Sequence, residues 1–205
     1  MLEFPKLYAI VDTACFSAPD ELYKFAQELI AGGATLLQYR NKNGSARDML
    51  EHALALRRIA GDSVRLIMND RADLCLASGF DGCHVGQDDL SAKAVREIIG
   101  NDRILGLSTH NPVQAKQADG SPADYIAVGP IFQTASKANP DPVIGLEGLR
   151  RARALTRKPL VAIGGITRAN CRGALDAGTD SVAVIADLLR EPKKAVEDFL
   201  SLFKQ

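Results

Sequence analysis

The sequence predicts a (β/α)8 TIM barrel, one catalytic domain spanning residues 1–205. Three observations carry that expectation. Short apolar runs rich in β-branched residues recur eight times, as expected of parallel strands buried on both faces. The stretches between them space their apolar residues as helices do. No low-complexity linker interrupts the alternation. A doubly wound α/β sheet would give the same alternation. Eight strands within 205 residues favour closure, although the chain is at the small end for a closed barrel.

The runs are Leu7–Asp12, Thr35–Arg40, Arg65–Asp70, Gly82–Gly86, Ile104–Thr109, Tyr125–Pro130, Leu160–Gly165 and Ser181–Ala186. After the first run, Ser17 ahead of Pro19-Asp20-Glu21 is a helix start, and Leu22, Phe25, Ala26 and Leu29 give the apolar face. Gly32-Gly33 ends that helix. The next helix shows Leu50, Ala53, Leu54 and Arg57, and stops at Gly61. The third, about Arg71 to Gly79, is short. Ser91 opens Ala92–Ile99 and Gly100 closes it; Gly178 marks a later helix end.

Composition narrows the functional class. Apolar residues are 46% and charged residues 24%, ordinary for a soluble globular enzyme. The 25 basic and 25 acidic side chains cancel, which argues against nucleic acid or an acidic membrane held by bulk charge. Phosphate recognition must then be local. Met1 to Lys6 lead directly into the first strand without a signal-peptide pattern, and no apolar run nears the roughly 20 residues of a membrane span. Cys15, Cys75, Cys83 and Cys171 are scattered, without a Cys-x-x-Cys pair. Reduced thiols in a cytoplasmic protein are the simple reading.

Barrel enzymes of this type work at the C-terminal ends of their strands. Polar residues gather there: Asp12, Gln38 and Arg40, Asn69 and Asp70, Gln87-Asp88-Asp89, Ser108-Thr109-His110, and Gly164-Gly165. Residues two apart on a strand share a face. If the second strand carries on through Lys42, then Gln38, Arg40 and Lys42 line one side while Leu37 and Tyr39 face the other. An amide and two cations make a polyanion site, and Asp70 at the next strand end can hold a bridging metal. That set points to chemistry on a phosphate or diphosphate.

Plainer readings stand beside these. Arg40, Lys42 and Lys137 can be solvated cations. Asp70 can cap the third helix, and Asp88 and Asp89 can be loop charges or caps. Ser108 can cap the helix starting at Asn111, and Gly164-Gly165 can be a tight turn. His84, inside a strand, is expected to pack with its hydrogen bonds satisfied. His52 is expected to be solvated; His110, the only histidine at a strand end, can contact substrate but is not named as a catalytic base. Three dispersed histidines do not make a metal site.

Six motifs, in order and each at a strand end, resemble the thiamin-phosphate synthase family. They are Gln38-x-Arg40-x-Lys42, Asn69-Asp70-Arg71, His84-Val85-Gly86-Gln87-Asp88-Asp89, Gly106-Leu107-Ser108-Thr109-His110, Gly129-Pro130-Ile131-Phe132-x-Thr134-x-Ser136-Lys137 and Ala162-Ile163-Gly164-Gly165-Ile166. The resemblance runs from about Leu7 to Leu189. It implies a transferase that joins an aminopyrimidine methyl diphosphate to a thiazole phosphate and releases pyrophosphate. It implies that Gln38, Arg40, Lys42, Asn69, Ser108 and Lys137 hold the pyrimidine diphosphate. Arg40, Lys42, Ser108 and Lys137 would be the catalytic set. Asp70 and Asp89 would hold Mg2+. Thr134 and Ser136, with backbone groups at Gly165, Ile185 and Ala186, would hold the thiazole phosphate.

The chemistry suits those residue types. A leaving diphosphate needs stabilising charge rather than a protein nucleophile. Glycines at 164 and 165 allow close backbone approach to a phosphate. The segment from Gln133 to Gly145, long and containing Pro140 and Pro142, reads as a lid that carries Lys137 inward. Ala186 stands where the family usually has serine, Ser136 where threonine is common, and Asp88 where glutamate is common. Two rivals remain: a thiazole tautomerase-like isomerase and a non-catalytic phosphate-ligand-binding barrel. Partners are small molecules; barrels often form homodimers, and the sequence leaves oligomeric state open.

Overall fold

A computed structural model describes residues 4–134 and 141–204. Eight parallel strands run Leu7–Asp12 (β1), Leu36–Arg40 (β2), Arg65–Asn69 (β3), Gly82–Val85 (β4), Ile104–Thr109 (β5), Tyr125–Val128 (β6), Leu160–Ile163 (β7) and Ser181–Val184 (β8). They pair in chain order, and β8 returns to β1 with Tyr8 opposite Ala183. That last pairing closes the sheet and removes the doubly wound alternative. Helices follow the strands: Pro19–Ala31 (α1), Ala46–Ala60 (α2), Ala72–Ala77 (α3), Ala92–Ile99 (α4), Pro112–Asp119 (α5), Gly145–Leu155 (α6), Cys171–Asp176 (α7) and Pro192–Leu202 (α8). No described helix is long and apolar enough to cross a membrane.

Alternation along the strands divides the core in two. Outward residues such as Leu37, Tyr39, Leu66, Met68 and Val182 pack beneath the helices with Leu29, Leu56 and Phe199. Inward residues fill the barrel: Tyr8, Ile10, Leu36, Ile67, Tyr125, Val161 and Ala183 form one cluster. Each large apolar side chain buried this way contributes roughly 1.5–3 kcal/mol. The interior is therefore a plug, and a ligand can enter only at its ends.

Several local expectations shift. The face of α2 is Met49, Ala53, Leu56 and Ala60, while Leu54 is exposed. Both faces satisfy the helical period; the sheet beneath selects between them. Ser17 does not cap α1. Its amide and hydroxyl instead donate to Glu21 Oε2, each at 2.9 Å, and Ala18 is the N-cap residue. Ser91 does cap α4, accepting from the Ala94 amide. β2 ends at Arg40 rather than running through Lys42, because Asn41 Oδ1 accepts the amides of Asn43 (3.1 Å) and Gly44 (2.8 Å) and turns the chain. His52 is not simply solvated: its Nδ1 lies 3.0 Å from the Tyr39 hydroxyl.

The N-terminal end of the barrel repeats one clasp three times. Asp81, Asp124 and Asp180 each precede an even-numbered strand. Each accepts the amide of a residue that opens the preceding strand, Leu66, Leu105 or Leu160, at 2.7 Å. Each also receives an arginine from the helix that leads into that preceding strand: Arg57 on α2, Arg96 on α4 and Arg153 on α6. The same arginines donate to carbonyls at the C-terminal ends of their own helices, Gly61, Gly100 and Lys158. Helix end, strand start and carboxylate are thereby tied together.

Candidate active site

At the opposite end, β1 and β2 place Asp12 directly beside Arg40 in register. Asp12 is buried; its Oδ1 accepts the Ala14 amide at 3.1 Å and its Oδ2 is paired with the Arg40 guanidinium. Arg40 is thus aimed by a buried carboxylate. Sequence reasoning noted Asp12 only as a polar strand end; its inward parity with Tyr8 and Ile10 was the available signal. Lys42 reaches the same rim despite leaving the strand, with Nζ 2.5 Å from Asp70 Oδ2.

Asp70 does not cap α3, whose N-cap residue is Arg71. Asp70 adopts a left-handed backbone (φ 63°), and its amide donates to the His84 carbonyl at 2.8 Å. Aspartate tolerates this left-handed region better than most non-glycine residues do. The bend turns its carboxyl toward that of Asp89, within hydrogen-bonding range. Asp89 Oδ2 accepts the Gly86 amide at 2.7 Å. Burial pushes the Asp70 carboxyl up against the pull of Lys42, and the Asp89 carboxylate adds to the rise. Asp89 is lowered: burial opposes this, but hydrogen bonds from Asp70 and the Gly86 amide prevail. Facing carboxylates do not both ionise readily without a bridging positive charge. Two hard oxygen donors at an open rim fit a divalent cation that keeps waters and takes phosphate oxygens.

Deeper in, Gln38, Asn69 and Ser108 face the barrel axis. Asn69 is buried, and its Nδ2 has no hydrogen-bond partner among the described residues. An orphaned buried amide is expensive unless a ligand completes it. Ser108 does not cap α5; Asn111 does. Ser108 Oγ instead lies 2.8 Å from His84 Nε2, and the other ring nitrogen lies 2.8 Å from the Tyr125 hydroxyl. His84 is packed and satisfied, as expected, and burial pushes it down to about 4. Tyr125 and Tyr8 gave no functional signal in the sequence. His110 is turned to the Gly129 carbonyl, 2.7 Å from Nδ1.

The far side of the rim is made of backbone. Gly164 and Gly165 both have positive φ, 96° and 66°. A Cβ on Gly165 would sit 2.3 Å from the Gln133 carbonyl oxygen, so only glycine fits there. β8 runs through Ile185 into a short 3-10 turn, Ala186–Leu188. Thr134, half-buried, lies in the loop between β6 and α6. Ser136, Lys137 and the middle of the expected lid lie outside the described residues.

Fold and rim define a phosphate-ligand type of TIM-barrel enzyme, with fixed side-chain charge on β1–β4 and a glycine-rich edge after β7 and β8. The family of thiamine monophosphate synthases matches residues 7–188. The chain is 58% identical over 204 residues to the thiamine-phosphate synthase of Koribacter versatilis, covering 98% of this chain and 97% of that protein. It is 43% identical to the thiamine-phosphate synthase of Agrobacterium fabrum, covering 96% and 92%. Among solved structures, the thiamine phosphate pyrophosphorylase from Pyrococcus furiosus superposes with a TM-score of 0.86 at 33% identity, covering 97% and 95%. The chain belongs to the thiamine monophosphate synthase family and is a transferase.

Proposed function

We propose that this barrel couples 4-amino-2-methyl-5-(diphosphooxymethyl)pyrimidine to 4-methyl-5-(2-phosphooxyethyl)thiazole, releasing pyrophosphate, with Mg2+ as the cofactor. The observation that most supports this is the convergence on one rim of Arg40, Lys42 and the facing Asp70–Asp89 carboxyls, next to the unpartnered Asn69 amide. Bound by Asp70 and Asp89, Mg2+ would draw charge from the departing diphosphate. Arg40, fixed by Asp12, presents a preorganised cation to the same oxygens. Lys42 is half-exposed and tethered only at its tip, so it can move from Asp70 to a phosphate. Lys137, from the loop after β6, is assigned to the cage in this reading, and Ser136 and Thr134 to binding of the thiazole phosphate, as the family resemblance implies. Gln38, Asn69 and Ser108 hold the pyrimidine ring; the transfer is dissociative, the carbon–oxygen bond to the diphosphate breaking to leave a stabilised pyrimidine methyl cation that the thiazole nitrogen, placed behind that carbon, captures. The thiazole phosphate rests on backbone at Gly165, Ile185 and Ala186, a position after the seventh and eighth strands that barrels often use for phosphate. One barrel carries the whole reaction, in the cytoplasm, where its thiols stay reduced.

Pyrophosphate release measured with both substrates, each alone, and after chelation of divalent ions tests the proposal. Release is expected only with both substrates and the metal. Thiazole conversion without metal would support the tautomerase instead, and binding without turnover a regulatory barrel.

A further inference from the structure

Five side chains from five strands meet inside the barrel in a single file. Gln38 Nε2 donates to the Tyr8 hydroxyl at 2.8 Å. The Tyr8 and Tyr125 hydroxyls are 3.0 Å apart. Tyr125 lies 2.8 Å from His84 Nδ1, and His84 Nε2 lies 2.8 Å from Ser108 Oγ. Gln38, Tyr8, Tyr125 and His84 are all buried. Gly106 makes the joint feasible: it sits in register between His84 and Tyr125, and a Cβ there would lie 2.1 Å from Tyr125 Cζ and 2.3 Å from His84 Nδ1.

Such a file has only two fully satisfied proton arrangements. Each hydroxyl has one proton to give, and a neutral imidazole gives one and takes one. With the Gln38 amide nitrogen turned inward, Tyr8 must donate to Tyr125, Tyr125 to His84 Nδ1, and His84 Nε2–H to Ser108. The Ser108 proton is then left for the site, and the Gln38 carbonyl is left to accept there. Turn the Gln38 amide over and every donor reverses: Ser108 becomes an acceptor at the site and Gln38 a donor. A mixed arrangement strands a buried hydroxyl proton or lone pair, and a buried polar group left unpaired is disfavoured. The two ends therefore switch together.

We infer that Tyr8, Tyr125 and His84 are positioning residues whose one-way hydrogen-bond file locks Gln38 as acceptor and Ser108 as donor, selecting an amino-bearing heteroaromatic ring over its oxo counterpart. An exocyclic amine with a ring nitrogen offers a donor and an acceptor, which complements the arrangement that follows from Gln38 Nε2 facing Tyr8. An oxo ring with N–H offers the reverse and needs the whole file to invert. The inference rests on the pyrimidine-diphosphate reading of the site, and it names how that site chooses its ring.

Two measurements test it. In the wild-type protein without substrate, 15N NMR of the His84 ring reads the proton position directly, whether or not the enzyme turns over. A proton on Nε2 is expected; a proton on Nδ1 overturns the inference. Second, kcat/KM is compared for the aminopyrimidine diphosphate and its oxo analogue in wild type, Tyr125→Phe and Tyr8→Phe. Cutting the file frees its ends, so preference for the amino ring is expected to fall by about tenfold or more in both variants. The KM for the thiazole phosphate is expected to stay within about twofold, a split that general loosening would not give. Unchanged ring preference in folded variants would overturn the inference. Absence of wild-type pyrophosphate release would instead count against the proposed function, leaving the NMR result to decide the file.

Discussion

The two ends of this barrel use the same residue types to opposite effect. At the N-terminal end, Asp81, Asp124 and Asp180 each hold a backbone amide and an arginine, and each arginine also caps its helix. At the C-terminal end, Asp70 faces another carboxyl, Lys42 holds it only by its tip, and the Asn69 Nδ2 has no partner among the described residues. Charge with its bonding capacity filled by its own chain stabilises. Charge left partly filled is available to a ligand. The difference lies in the neighbours, since Arg and Asp occur at both ends.

The comparison can be broken most sharply at Asp70. Asp70→Ala is expected to lower turnover by on the order of 10³ while leaving the circular dichroism of the barrel unchanged. Pyrophosphate release at wild-type rate would remove Asp70 from the metal pair. Between the two ends, His84 contributes stability through its burial. Its value lies near 4 in the folded chain against about 6.5 when unfolded, so that stability is full above pH 6.5 and disappears as pH falls toward 4. The contribution is of order 3 kcal/mol. Urea unfolding from pH 7 to 4.5 should show wild type losing this margin relative to His84→Asn; parallel curves would reject it.

At the N-terminal end the effects should reverse in kind. Asp124→Ala strands the Leu105 amide and leaves the Arg96 guanidinium with carbonyl acceptors but no carboxylate, and is expected to destabilise by about 2 kcal/mol with kcat intact. A variant that loses activity before it loses stability would show that the clasp reaches the rim. The smallest effect is expected on the backbone-built edge. Ala186→Ser restores a hydroxyl beside the proposed thiazole phosphate position, and should lower the KM for that substrate by up to about fivefold, or about 1 kcal/mol. No change would mean that this edge works through amides alone.

Reading the chain alone went far for the barrel and for the rim residues, and stopped at particular places. The alternation of periods marked all eight strands, because a strand buried on both faces has to be apolar throughout. It could not choose between the two apolar stripes of α2, since Leu50 and Leu54 are as apolar as Met49 and Leu56. It placed Lys42 on a strand that Asn41 in fact ends, although the ammonium still arrives at the rim. Asp12 was visible only as a strand-end carboxylate, since its role depends on register with Arg40.

Local pattern and residue chemistry thus sufficed for the architecture and the family, because period and motif are properties of neighbours along the chain. Closure alone decided that Tyr8, Gln38, His84, Ser108 and Tyr125 share one line of hydrogen bonds. Those residues lie up to 117 positions apart, and only strands wrapped around a common axis bring their inward faces within 3.0 Å.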